Sequence, residues 1–230
     1  MKILALDTSS PICSIALLYD QKIVSRDSAV TLKQAQVILS EINALLTSEN
    51  IHLNQLDAIA FGCGPGSFTG ARIAASITQG LAYALKIPVI SISSLKAIAY
   101  ATYLDLGWDK LLVGVDARMD EIYWGQYIIQ HEVISLMHEE CIDKPEKIQF
   151  PDKNDWFGVG NAWEVYLDRI PYQPFQIDPT RLPLAKAIAH LAKIELEAGR
   201  TLLPHQALPV YLRNNVAKKS GNKPVMPACF

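Results

Sequence analysis

Residues 3–8 read ILALDT and residues 112–117 read LVGVDA, so each apolar run reaches an aspartate, Asp7 or Asp116. A short apolar run that stops at polar residues predicts a buried strand followed by a turn. A second and a third predicted strand follow each run, and the two halves share one order of elements at an offset of 109 residues. This order predicts a duplication, and the alternative is a chance likeness between two common strand-turn-strand units.

Strands alternate with helices along the chain, which predicts an α/β protein whose largely parallel central part carries packed helices. The apolar periodicity predicts helices at residues 33–49, 71–86, 94–106, 162–168 and 184–197, and further strands at residues 56–61, 88–92 and 156–159. We expect an N-terminal lobe at residues 1–106, a C-terminal lobe at residues 107–216 and a flexible tail at residues 217–230.

The 230 residues have an ordinary globular composition, with 50% hydrophobic and 19% charged residues. A net charge of −2 leaves no basic surplus for binding nucleic acid unaided. The cysteines have no C-x-x-C spacing and the histidines no i, i+4 pair, so we expect free thiols and no metal site. The longest charge-free run of the most apolar segment, 73–85, has 13 residues, whereas a membrane span needs about 20. We therefore expect a cytoplasmic protein without signal peptide or membrane contact.

The glycine-rich stretch GPGSFTG at residues 64–70 lies between a predicted strand and a predicted helix. Glycines let a ligand approach the backbone closely, and the unpaired N–H groups of a helix start attract anions, which favours a phosphate cradle. The same residues suit a tight turn that lets the helix press against its neighbour, and the sequence leaves both interpretations open. The stretch fits neither the Walker A nor the Rossmann pattern.

The two strand-end aspartates, Asp7 and Asp116, are the second candidate site. If they face one cleft, they can hold a magnesium–nucleotide or act as a base. The segment DTSSP at residues 7–11, which ends the first predicted strand, suits an Asx turn equally well. Candidate nucleophiles such as Ser67 and Cys63 need a base within hydrogen-bond reach, usually a histidine, and the sequence places none beside them.

Helix 71–86 carries apolar residues over more of its circumference than one core-facing side requires. Its isoleucines and leucines suit the core, whereas its alanines form a second side of small residues, which favours a partner-binding surface shared with helix 33–49. Burial on two sides within the same domain is the alternative. The residues expected to face the core are Ile73, Ile77, Leu81 and Leu85.

Four segments resemble the TsaB family, formerly YeaZ: ILALDTS at the start, GPGSFTGARIAASITQGLAYALKIPVISISSL at residues 64–95, VDARMDEIYW at residues 115–124 and PVYLRNNVA at residues 209–217. The resemblance implies the duplicated fold of actin, sugar kinases and Hsp70 (the ASKHA fold), with two related lobes. It also implies a part in bacterial synthesis of threonylcarbamoyladenosine in tRNA, as a degenerate relative and partner of the transferase TsaD.

Further expectations rest on this resemblance alone. They are a heterodimer with TsaD through helices 33–49 and 71–86, association with the ATPase TsaE, contact with tRNA only through the complex, and a homodimer when the chain is alone. No cofactor is expected, and a nucleotide at the shared interface is left open. Many members carry a histidine where this chain has Gln34, which alters the interface locally.

The favoured function is therefore a non-catalytic subunit that binds and activates TsaD, without catalytic residues or a metal. The alternative is a small phosphotransferase or ATPase that uses the interlobe cleft, against which stands the lack of a phosphate-binding lysine in the loop. The interface is expected to comprise Gln34, Val37, Glu41, Arg72, Ala75, Gln79 and Ala82. The vestigial cleft loop is expected to comprise Asp7, Gly64, Gly66, Ser67, Gly70 and Asp116.

Overall fold

The computed structural model describes residues 1–29, 34–150 and 155–213, and within these ranges the chain forms eleven β-strands and five α-helices. The strands are β1 (Lys2–Asp7), β2 (Ile12–Tyr19), β3 (Lys22–Ala29), β4 (Ala58–Gly62), β5 (Val89–Ile92), β6 (Lys110–Arg118), β7 (Glu121–Gln130), β8 (Val133–Leu136), β9 (Cys141–Asp143), β10 (Phe157–Val159) and β11 (Gln176–Asp178). The helices are α1 (Gln34–Ser48), α2 (Phe68–Leu85), α3 (Ser94–Leu106), α4 (Ala162–Val165) and α5 (Ala185–Glu197). The tail expected at residues 217–230 lies outside the described residues.

The strands form two sheets with the same topology. The first has the order β3-β2-β1-β4-β5 and the second, read in the same sense, β8-β7-β6-β10-β11, with β9 also paired to β7. In the first sheet β1 is antiparallel to β2 and parallel to β4. In the second sheet β6 is likewise antiparallel to β7 and parallel to β10. Asp7 ends β1, and Asp116 lies near the end of β6. The duplication and the α/β class expected from the sequence are therefore confirmed.

Two helices each pack on the sheet that the other half of the chain forms. Helix α5, from the second half, packs on β1, β2 and β4 of the first sheet, whereas α3, from the first half, packs on β6 and β7 of the second. Residues from both sheets and both helices share one buried cluster, which includes Ile3, Ala60, Ile98, Tyr127 and Ile188. The two sheets are thus formed by separate halves of the chain, whereas their core is shared.

The outer face of the first sheet is covered by α1 and α2. Because successive strand residues point to opposite faces, Leu4 and Leu6 pack towards these helices, and Ile3 and Ala5 point to the shared core. Within the described residues, no helix combines the length and apolar character that crossing a bilayer requires.

Some predicted boundaries were wrong. Helix α2 begins at Phe68 rather than at residue 71, because the Ser67 side chain caps it by accepting a hydrogen bond from the Gly70 N–H at 3.2 Å. The helix predicted at residues 162–168 is the single turn α4, followed by a 3₁₀ turn at Leu167–Arg169. Strands β9 and β11 were not predicted, since each has three residues, ends in an aspartate and offers no continuous apolar run.

Candidate functional site

A cleft of about 660 Å³ opens between the two lobes. The first lobe contributes the turn after β1 and the loop before α2, and the second lobe contributes the turn between β6 and β7. The C-terminal segment borders the cleft as well. Its lining includes Ser9, Gln34, Gly66, Ser67, Phe68, Ser94, Asp116, Arg118, Met119, Asn161, Tyr211 and Arg213. Part of the glycine-rich loop and Asp116 therefore line the same cleft.

The glycine-rich loop is pressed against the turn that follows β1. A Cβ atom on Gly70 would lie 1.7 Å from the carbonyl oxygen of Thr8, and one on Gly66 would lie 2.7 Å from that of Ser9. The Thr8 hydroxyl donates to the Gly70 carbonyl at 2.6 Å, and the Ser67 N–H donates to the Ser9 carbonyl at 2.8 Å. The glycines thus serve the close packing of the start of α2, and an N–H group that a phosphate cradle would use is already bonded within the chain.

Asp7 does not face the cleft, contrary to the sequence-based hypothesis. It is wholly buried at the end of β1, where its carboxylate accepts hydrogen bonds from the Ser9 N–H at 2.8 Å and from the Ser9 hydroxyl at 2.9 Å. A Cβ atom on Gly62 would lie 1.8 Å from its Oδ2. Burial raises the pKa of Asp7 to about 7, although the hydrogen bonds from Ser9 and Ser94 act in the opposite direction.

Asp116 does line the cleft, but its carboxylate is occupied by neighbours. Oδ1 accepts from the Tyr166 hydroxyl at 2.9 Å and from the Arg118 N–H at 2.8 Å. Oδ2 lies 3.1 Å from the Arg118 guanidinium. Its own N–H donates to Asn161 at 2.9 Å.

The magnesium–nucleotide that the fold implies therefore does not fit these residues. One aspartate is buried and the other is paired with an arginine, and within the described ranges no three acidic, histidine or cysteine side chains are grouped to hold a metal. Among the described residues that line the cleft, none is a histidine.

The small-residue side of α2 faces inward rather than outward. Ala75 and Ala82 are 4% and 0% exposed and belong to the core between α2 and the first sheet. Ile73, Ile77, Leu81 and Leu85 are partly buried, and the last three pack against this core, as expected from the sequence. The partner-facing assignment of the two alanines is corrected accordingly: small side chains let the helix backbone approach β4 closely. The exposed positions of α2 are Phe68, Thr69, Arg72, Ser76, Gly80, Tyr83 and Ala84.

The other predicted interface residues are scattered over the first lobe. Gln34 lines the cleft and donates to the Ser10 carbonyl at 2.9 Å. Glu41 on α1 pairs with Arg26 of β3 at 3.4 Å, and Val37 is partly buried. Gln79 donates to the Ala207 carbonyl at 2.9 Å.

Arg72 contacts two residues that line the cleft, Phe68 and Tyr211. It stacks 3.6 Å above the Phe68 ring, and its Nε donates to the Tyr211 hydroxyl at 2.7 Å. No role was predicted from the sequence for Phe68, Tyr211 or Arg213, although the last two lie in the motif PVYLRNNVA. The contact of Tyr211 with Arg72 and that of Arg213 with Glu121 join residues that lie 139 and 92 positions apart in the chain, and local periodicity carries no signal of such pairing.

Comparisons with known proteins agree with this architecture. A family model described as TsaD, tRNA N6-adenosine threonylcarbamoyltransferase, matches residues 29–219. The tRNA threonylcarbamoyladenosine biosynthesis proteins TsaB of Escherichia coli K12 and Haemophilus influenzae are each 34% identical to this chain, over 95% of its length and 97% and 96% of theirs. The solved structure of YeaZ from Pseudomonas aeruginosa superposes with a TM-score of 0.89 at 40% identity, covering 92% of this chain and 99% of that one.

The two-lobed duplicated fold is thus of the actin, sugar-kinase and Hsp70 type, as the resemblance implied. Near-complete coverage in both directions means that the likeness extends over both lobes rather than over a shared module. The chain therefore belongs to the TsaB, or YeaZ, family of tRNA threonylcarbamoyladenosine biosynthesis proteins.

Proposed function

We propose that this chain is a non-catalytic subunit in tRNA threonylcarbamoyladenosine synthesis, which binds and activates a TsaD-type transferase through the outer surface of α1 and α2. The names of its relatives support the pathway. The description of the matching family model supports descent from a transferase. The positions of Asp7 and Asp116 support the lack of catalysis, because Asp7 is buried away from the cleft and the oxygens of Asp116 already accept hydrogen bonds and pair with Arg118.

The observation that carries the proposed surface is the exposure of apolar side chains on α1 and α2. Leu39 is 51% exposed and Tyr83 is 78% exposed, on helices whose buried residues pack into the core with the first sheet. Glu41 fixes one flank of α1 towards β3 through Arg26. Leu39 lies about 200° around the helix from Glu41 and hence on the opposite flank of α1. Leu39 and the partly exposed Ile73 and Ile77 supply an apolar surface of the kind that marks protein interfaces.

The test is co-purification of the chain with the TsaD-type protein of the same organism. Leu39→Arg and Tyr83→Arg each place a charge on the proposed surface at a position exposed enough to keep the fold intact. We expect each to weaken the complex by a factor of about ten or more, since an unpaired charge is costly at a desolvated interface. Binding is measured by titration calorimetry of the purified pair.

Phe175→Arg is the matched control, because Phe175 is an aromatic residue that is 68% exposed on the second lobe. It is expected to leave the affinity unchanged. If Leu39→Arg and Tyr83→Arg both bind the transferase as the parent chain does, the proposed surface is wrong. The homodimer of the isolated chain is proposed to use the same surface, so the two variants should elute as monomers in size-exclusion chromatography.

A further inference from the structure

The turn between β6 and β7 has an unfavourable backbone. Arg118, Met119 and Asp120 are three successive non-glycine residues in the left-handed region, with φ of 60°, 57° and 60°. L-residues visit this region singly and at a cost, so such a run persists only where its surroundings over-determine it. The turn also borders the mouth of the cleft through Arg118 and Met119.

Three other parts of the chain hold the turn. Asp116 accepts the Arg118 N–H at 2.8 Å. Arg169, from the 3₁₀ turn after α4, binds the Asp120 carboxylate at 2.9 Å. Arg213, from the C-terminal segment, donates to the carbonyl oxygens of Ala117 and Arg118 at 3.1 Å each. Arg213 also forms an ion pair with Glu121 at the start of β7.

The C-terminal segment that carries Arg213 is anchored at its other end to the first lobe. Leu202 and Val89 exchange two backbone hydrogen bonds of 2.8 and 2.9 Å. Further along, the Val210 N–H donates to the Cys63 carbonyl at 2.8 Å. We call residues 202–213 the strap. Val210, Tyr211 and Arg213 of the strap line the cleft, so the strap runs from the first lobe across the cleft mouth to the turn of the second.

We propose that the strap is a latch between the lobes, in which the contacts of Arg213 with the left-handed turn tie the two sides of the cleft mouth together and their release widens it. The first lobe holds the strap mainly by backbone hydrogen bonds, whereas within the described residues the contacts with the turn of the second lobe come from the Arg213 side chain. The Arg213 end is therefore the end that detaches. Release of Arg213 also removes one of the three restraints on the turn, whose left-handed backbone is energetically unfavourable. The turn and the cleft mouth therefore move together. This inference does not depend on the proposed partner surface.

The test compares amide hydrogen exchange in the full chain, in Arg213→Ala and in Arg200→Ala. Arg200 is exposed and pairs with Glu195 at the end of α5, so Arg200→Ala removes an equal charge and an ion pair elsewhere. We expect amides of residues 117–122 to exchange about tenfold faster in Arg213→Ala, because exchange reports the local opening equilibrium. In Arg213→Ala, the amides of α5 should exchange as they do in the parent chain. In Arg200→Ala, the amides of residues 117–122 should exchange at the parent rate. Arg213→Lys, which keeps the charge but not the forked contacts, should be intermediate and carries the test if Arg213→Ala does not fold.

A second measurement separates opening of the mouth from loosening of the turn. Val115 lies inside the cleft on β6, and the thiol of Val115→Cys can be labelled with a maleimide and quantified peptide by peptide. We expect labelling to be several-fold faster when Val115→Cys is combined with Arg213→Ala, and unchanged when it is combined with Arg200→Ala. Faster exchange of the turn with unchanged labelling would show that the strap does not control the cleft. No change in either measurement would overturn the latch entirely.

Discussion

The carboxyl group of Asp7 gives the chain a pH-dependent stability. Burial raises its pKa from 3.8 to about 7 in the folded chain, and the hydrogen bonds from Ser9 only partly oppose that rise. Between about pH 4 and pH 7 the unfolded chain releases this proton while the folded chain keeps it. The contribution of Asp7 to folding is therefore most favourable at low pH, falls as the pH rises through this window, and is level above it.

Asp7→Asn removes this titration. Relative to Asp7→Asn, the parent chain is expected to lose roughly 3 kcal/mol of unfolding free energy between pH 5 and pH 8, at about 1.4 kcal/mol for each pH unit up to the folded pKa. Urea unfolding at several pH values measures the difference. The exposed Asp168 provides the control, because Asp168→Asn removes a charge without a buried partner. Parallel pH curves for the parent and Asp7→Asn would refute the assignment.

At the scale of the element, α2 is oriented by its alanines. Alanines at residues 71, 74, 75 and 82 are all buried, and they bring the helix backbone close to β4 and to the turn after β1. The larger Ile73 and Ile77 are left at the edge of the packed face. Close approach of backbone to backbone thus takes precedence over burial of the largest side chains.

Ala75→Arg is consequently expected to destabilise the folded chain itself. A guanidinium placed against the first sheet has no charged partner there, and the loss should be several kcal/mol. Ser76→Arg changes the next residue, which is exposed on the same helix, and should shift stability by no more than about 0.5 kcal/mol. Thermal unfolding of the two variants measures the contrast. Equal melting temperatures would mean that α2 is turned the other way.

At the scale of the molecule, the crossed helices make the two halves depend on each other. Without α5, the first half leaves the inner face of its sheet uncovered, including Ile3, Ala60 and Ile90. Without α3, the second half exposes Val113 and Tyr127 in the same way. Apolar surface of this extent is not tolerated by an isolated domain.

We therefore expect residues 1–106 alone to lack a cooperative unfolding transition and to bind a hydrophobic dye. Co-expression with residues 107–230 should restore α5 to the first sheet and with it a single cooperative transition. Circular dichroism against temperature measures both states. A sharp transition in residues 1–106 alone would show that each lobe is an independent folding unit.

The sequence by itself determined the repeated order of elements. The runs ending in Asp7 and Asp116 and the helical periods of α1, α3 and α5 are local patterns, because side chains that share a face recur at a fixed spacing. The resemblance to a known family drew on the same local segments. The glycine-rich loop was also visible, together with the two roles that glycine can serve there.

Tertiary structure decided what the patterns left open. An alanine stripe permits close packing against a sheet or against a partner helix, and only the position of β4 selects the sheet for Ala75 and Ala82. A strand-end aspartate can face a cleft or lie beneath it, and the hydrogen bonds from Ser9 and Ser94 place Asp7 beneath. The strap meets Arg72 through Tyr211 across 139 residues of chain. Such contacts depend on how both sheets pack around α3 and α5, which no local period encodes.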